Sequence, residues 1–105
     1  MRVLFDQGTP VPLRRYLASH IVATVFEKGW STLQNGELLR TAEAEGFEVL
    51  VTTDQSLKYQ QNLKNRQIAV VVLMTTSWPR IERAVNRVVV ALNSVKPGGY
   101  VEVEF

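Results

Sequence analysis

Three acidic residues, Asp6, Glu37 and Asp54, carry the chemistry that this sequence could perform. Asp6 follows the apolar run Val3-Leu4-Phe5, and Asp54 follows Val49-Leu50-Val51-Thr52-Thr53, so both close segments that read as buried strands. Carboxylates that leave adjacent parallel strands at the same edge converge in space, and Glu37, at the start of a helix predicted from about 36 to 45, is placed to complete a cluster. Crowded carboxylates repel and raise each other's pKa, so such a cluster is stable near neutral pH mainly when a divalent cation sits among them. Oxygen ligands with no Cys or His nearby favour Mg²⁺ or Mn²⁺ over zinc. An ion held there can activate water and stabilise the charge that develops in phosphodiester cleavage. Each acid alone also fits a plainer role, the two Asp as turn formers and Glu37 as a partner of the helix dipole. Their combination at equivalent strand ends is what points to a site.

Other residues flank these strand ends. Thr52, Thr53, Thr75, Thr76 and Ser77 are hydroxyls that follow two apolar strands, and with Ser56 they are candidates to orient a water or bind phosphate beside the acids, although helix capping explains Thr76 or Ser77 equally well. Arg14, Lys58 and Tyr59 are placed to flank a strand-end site, the two cations suited to phosphate contacts and Tyr59 able to stack on a base, as in single-stranded RNA binders, or to cover the helix beneath it. Arg80, Arg83 and Arg87 fall on one side of the last helix and read as its solvated face. The single histidine, His20, has no Ser or Cys partner suggested by the sequence, so a hydrolase triad is not expected.

The elements that must position these residues alternate between strand and helix. Residues 2 to 5 predict a strand, and Thr9 caps a helix begun by Pro10 and Pro12 that runs to about residue 18, with Arg14 and Arg15 facing water. A second strand is predicted over 20 to 26 and closed by Lys28-Gly29-Trp30. Asn35 reads as the N-cap of the helix that carries Glu37, and Gly46 as its stop. A third strand follows over 48 to 52, and a short polar helix is expected within 56 to 66. Ile68 to Met74 is the most apolar run and reads as a central strand covered on both faces. Pro79 starts a helix with Ile81, Ala84, Val85, Val88 and Leu92 on one stripe, and Tyr100 to Phe105 alternates as an edge strand. The pattern predicts one α/β domain over 1 to 105, with a mostly parallel central sheet, right-handed crossovers and helices on both faces. In such sheets ligands bind beyond the carboxyl ends of the strands, where Asp6 and Asp54 lie.

Composition narrows the class further. A chain of 105 residues with 46% apolar and 21% charged residues matches one ordinary globular domain and not a disordered one. The absence of cysteine excludes disulfides and thiol chemistry and suits the cytosol. No apolar run has the roughly 18 residues a membrane span needs. Twelve basic against ten acidic residues, a formal +2, is too mild for binding nucleic acid by bulk charge.

Three blocks of the chain, Leu4-Phe5-Asp6-Gln7 before a Pro-initiated helix, Asn35-Gly36-Glu37-Leu38-Leu39, and Val49-Leu50-Val51-Thr52-Thr53-Asp54, resemble the signature blocks of small bacterial PIN-like proteins, relatives of the VapC-type ribonuclease toxins. The resemblance covers residues 2 to about 76 in order and spacing. It implies a PIN-like sheet with Asp6, Glu37 and Asp54 as metal ligands and catalytic residues, Mg²⁺ or Mn²⁺ as cofactor, RNA as substrate and a small antitoxin as partner. Such relatives often carry Asn two residues after the first Asp and a second acid two residues after the third-strand Asp, where this chain has Gly8 and Ser56. Two functional readings stay open: a metal-dependent ribonuclease of toxin type, and a catalytically inactive PIN-like module that binds RNA or a partner protein. A homodimer through the exposed edge of the last strand is also expected.

Overall fold

Apolar residues run almost unbroken along the inner strands, so a sheet covered on both faces follows from them. In the computed structural model, which describes residues 1 to 57, 63 and 65 to 105, five parallel strands form that sheet. They are β1 (Arg2–Phe5), β2 (Ile21–Thr24), β3 (Val49–Thr52), β4 (Ala69–Leu73) and β5 (Tyr100–Val103), in the order β2-β1-β3-β4-β5. Every residue of β3 and β4 is buried, as expected for strands covered on both sides. On one face Val3, Phe5, Val49, Val51, Val71 and Leu73 pack in a single cluster, and on the other Leu4, Leu50, Val70 and Val72 pack in a second.

The covering elements divide between the faces. Leu13 and Leu17, from and just after a 3-10 helix at Val11–Tyr16, and Ile81, Val88 and Leu92, from α3 (Trp78–Arg83) and α4 (Val85–Ser94), join the first cluster. The second takes Leu38, Leu39 and Ala42 from α2 (Asn35–Ala44), together with Val25 from the single turn α1 (Val25–Lys28). The chain thus crosses from β1 to β2 over the first face, and from β2 to β3 in the opposite direction over the second. Leu57 and Leu63, between β3 and β4, also lie on the second face, so these three connections share one hand. The last, from β4 to β5, continues in the same direction but over the first face, and therefore has the other hand. The uniformly right-handed crossovers expected from the sequence do not hold. The reason lies in coverage: the six-residue 3-10 helix hides little of the first face, and α4 must cover Ala69 and Val71 there.

Several boundaries differ from the sequence expectation. The helix after Pro10 is 3-10 rather than α, and the buried Thr9 does not cap it but donates its hydroxyl to the Val51 carbonyl at 2.9 Å. The second strand stops at Thr24, because Thr24 and Glu27 form a reciprocal capping box that turns Val25 and Phe26 into α1, and Gly29 closes the turn at φ 75°. Gln34, not Asn35, is the N-cap residue of α2. The helix predicted from Pro79 is broken at Ala84, with Ser77 capping its first part. Ala is the best helix former, so the break does not come from the propensity of Ala84 itself. The short helix expected within 56 to 66 lies mostly outside the described residues. β5 is an edge strand as expected, and its exposed Glu102 is a charge of the kind that blunts pairing with another copy. Among the described residues no helix is long and apolar enough to cross a membrane.

Candidate functional site

The order β2-β1-β3-β4-β5 places the reversal of strand order between β1 and β3, and the crevice above such a switch point is where open α/β sheets bind ligands. Asp6 and Asp54 rise from those two strands. Phe5 pairs with Val51 across the sheet, so Asp6 stands opposite Thr52, and Asp54 follows two residues later. The loop after β1 is held over β3 by the Asp6 amide and the Thr9 hydroxyl, both donating to the Val51 carbonyl at 2.9 Å.

One buried hydroxyl joins the two acids. Thr52, only 1% exposed, donates to Asp6 Oδ2 at 2.9 Å and accepts from the Asp54 amide at 3.0 Å. Asp6 Oδ1 accepts from the Gln7 amide at 2.9 Å. Asp54 Oδ1 accepts from the Ser56 hydroxyl at 2.7 Å and the Ser56 amide at 3.0 Å, while Asn35 Nδ2 donates to Asp54 Oδ2 at 3.3 Å. The Ser56 hydroxyl, then its amide and the Asn35 side chain, hold the Asp54 carboxyl below its ordinary pKa, against a burial that works the other way. The rise expected from acid crowding is not found at Asp54, because these neutral donors surround it.

The sequence candidates divide accordingly. Asp6 and Asp54 come together through Thr52. Glu37 is exposed in the first turn of α2, and the side chain that α2 sends to the pair is Asn35, read from the sequence only as a cap. Among the described residues no three His, Asp or Glu side chains form a group able to hold an ion. Ser56 acts on Asp54 as a double donor. Thr53 has a different relation to the site: its hydroxyl fills the space that a Cβ at Gly8 would need, which is why a side chain there would require Thr53 to move. Thr76 is exposed in the loop between β4 and α3. Arg14 does not face water freely but pairs through both terminal guanidinium nitrogens with Glu27, whose carboxyl that contact and the α1 capping bonds pull down to about 2. Lys58 and Tyr59 lie outside the described residues. Arg80, Arg83 and Arg87 are exposed, as the solvated stripe requires, and Arg80 and Arg87 also donate to the Phe105 and Glu104 carbonyls at 2.9 Å each, tying α3 and α4 to the end of β5.

Thr52, Thr9 and Asn35 are the residues whose part sequence reasoning did not isolate. Thr52 was one hydroxyl among several after the strands, and only its position opposite Asp6 singles it out. Beside the pair, a cleft of about 480 Å³ opens at the carboxyl ends of β1 and β2, with Asp6, Gln7, Arg14, Phe26 and Glu27 in its lining. Asp54 is not part of that lining, so Asp6 alone is shared by the cleft and the acid pair. Comparison with protein families, with curated proteins and with solved structures finds no match to this chain.

Proposed function

We propose that this protein is a PIN-like, metal-dependent ribonuclease that hydrolyses RNA phosphodiesters at Asp6 and Asp54. The observation that carries the reading is that Asp6 and Asp54 stand at the point where the strand order reverses, with the Thr52 hydroxyl bonded to the Asp6 carboxylate and to the Asp54 backbone amide. The donor set fits the implied ion. Mg²⁺ is commonly held by one or two carboxylates with water completing its shell, and Mn²⁺ accepts similar oxygen ligands. Both Asp6 oxygens and Asp54 Oδ2 accept one hydrogen bond each among the described residues, which leaves a lone pair on each for a cation. Asp6 and Asp54 would hold the ion, with Glu37 proposed as a third ligand on the resemblance of its block alone. When bound, the ion supplies an activated water and neutralises charge on the phosphate. Ser56 and Asn35 keep Asp54 ionised for that role, and Thr52 orients Asp6.

The toxin role, a small antitoxin partner and a cytosolic setting rest on the likeness of the three sequence blocks to the VapC-type toxins and on the cysteine-free composition. A second reading, an inactive PIN-like module that binds RNA or a partner protein, is favoured by Ser56, which stands where relatives carry an acid and directs both its donors at Asp54. Incubating the purified protein with a mixed RNA pool, with Mn²⁺ or Mg²⁺ against chelator, separates the two. The ribonuclease reading expects metal-dependent cutting that disappears in both Asp6→Asn and Asp54→Asn. A wild type as inert as the variants at high protein concentration assigns the module reading instead.

A further inference from the structure

Phe26 is 79% exposed, more than any other large hydrophobic side chain described, yet it is not carried on a loose segment. It sits in the single turn α1, and one isolated turn has almost no stability of its own. Four features fix it. The Glu27 amide donates to Thr24 Oγ1 at 3.0 Å, and the Thr24 amide donates to Glu27 Oε1 at 2.9 Å. Gly29 closes the other end in the left-handed conformation, and the Glu27 carboxylate pairs with Arg14 of the 3-10 helix. An aromatic ring is thereby held in water at the side of the 480 Å³ cleft, whose size falls within the roughly 300–1,000 Å³ of small-ligand sites.

The rest of the cleft is apolar where it is formed by Phe5, Val11 and Val25, and polar where Asp6 and Gln7 contribute. A flat ligand with a hydrophobic face and hydrogen-bonding edges suits such a lining. Nucleobases have that form, and stacking on exposed aromatic side chains is how single-stranded nucleic acid is generally held. Asp6 supplies continuity, since it belongs both to the cleft and to the acid pair.

We propose that this cleft is a nucleobase subsite, in which Phe26 stacks on one base of a single-stranded RNA whose phosphate lies at Asp6; the position of the phosphate rests on the ribonuclease reading, the stacking does not. The test is the affinity of a short fluorescent oligoribonucleotide, measured by anisotropy in chelator so that nothing is cut, for wild type, Phe26→Leu and Phe26→Trp. Because Phe26 is exposed, none of these changes burdens the core. Phe26→Leu keeps an apolar side chain but loses the ring, and is expected to weaken binding by roughly 5- to 150-fold, whereas Phe26→Trp binds at least as tightly as wild type. Unchanged affinity in Phe26→Leu, as a protein partner seated on Phe26 would give, overturns the proposal, and so does a wild type that fails to bind. Cleavage assays on Asp54→Asn keep the two readings apart. A wild type that binds through Phe26 but never cuts sinks the nuclease and leaves the subsite standing, while metal-dependent cutting indifferent to Phe26 does the reverse.

Discussion

At Thr52 a single buried hydroxyl donates to Asp6 and accepts from the Asp54 amide, so one side chain sets how the two acids stand to each other. Thr52→Val keeps the shape and removes both bonds, leaving a carboxylate oxygen and an amide without a partner that they now have. It is expected to cost about 1–3 kcal/mol in urea denaturation and to lower metal-dependent cleavage; a variant with unchanged stability would show that the two bonds add nothing to the fold. Ser56 acts on charge. Asp54 has a folded pKa below its ordinary 3.8, so it stabilises the fold above that value and the contribution is lost as pH falls through the folded pKa. Ser56→Ala removes the largest cause, and an NMR titration of the Asp54 carboxyl should show its midpoint move upward towards the ordinary value. A midpoint that stays in place would assign the depression to Asn35 and the backbone. The presence of Asp6 and Asp54 at strand ends was legible, because an apolar run that stops at an acid is a local pattern. That Thr52 and Asn35 serve them was not, since neither contact is local.

Elements show the same division on a larger scale. β1, β3 and β4 stand close to their predicted positions, because near-continuous apolar runs leave a buried strand little alternative. β2 is shorter than its β-branched composition suggests. The Thr24-to-Glu27 spacing of a capping box was present in the sequence, but the strand propensity of Val25 and Phe26 obscured it. α1 depends on Glu27, whose carboxyl is drawn down to about 2, so its stabilising effect is present above its ordinary 4.5 and lost as pH falls from there to about 2. Urea midpoints followed across that window should fall more steeply for wild type than for Glu27→Gln. Equal slopes would mean that the Arg14 pair contributes nothing beyond solvent-screened contact, which is common for exposed pairs. The break at Ala84 was invisible to sequence reasoning because Ala favours the helix it interrupts.

For the molecule as a whole, burial on both faces puts β1, β3 and β4 in the interior of the sheet and leaves β2 and β5 as its edges. Amide hydrogen exchange should follow that order, with the central strands exchanging only on global unfolding and the outer strands by local opening. If β5 exchanged as slowly as β4, the Arg80 and Arg87 contacts to its end would be tying it into the central unit. The opposite hand of the last crossover also belongs to this scale. It brings α4 onto the face that the 3-10 helix leaves bare, and with it fixes which side of β5 is buried.

The sequence by itself determined the class of the protein: strand and helix alternate, apolar periods mark which residues are inside, and Asp6 and Asp54 end two of the strands. Those features are local, and hydrophobic period and turn chemistry act over a few residues. Only the tertiary structure decided the strand order, which sets β1 beside β3 and so makes neighbours of two acids 48 positions apart. It also decided that Asn35 rather than Glu37 reaches Asp54, that Arg14 is engaged by Glu27, and that Phe26 is left bare beside a cleft. Each of these depends on packing between segments far apart in the chain, where side-chain position is set by burial and geometry that no window of sequence contains.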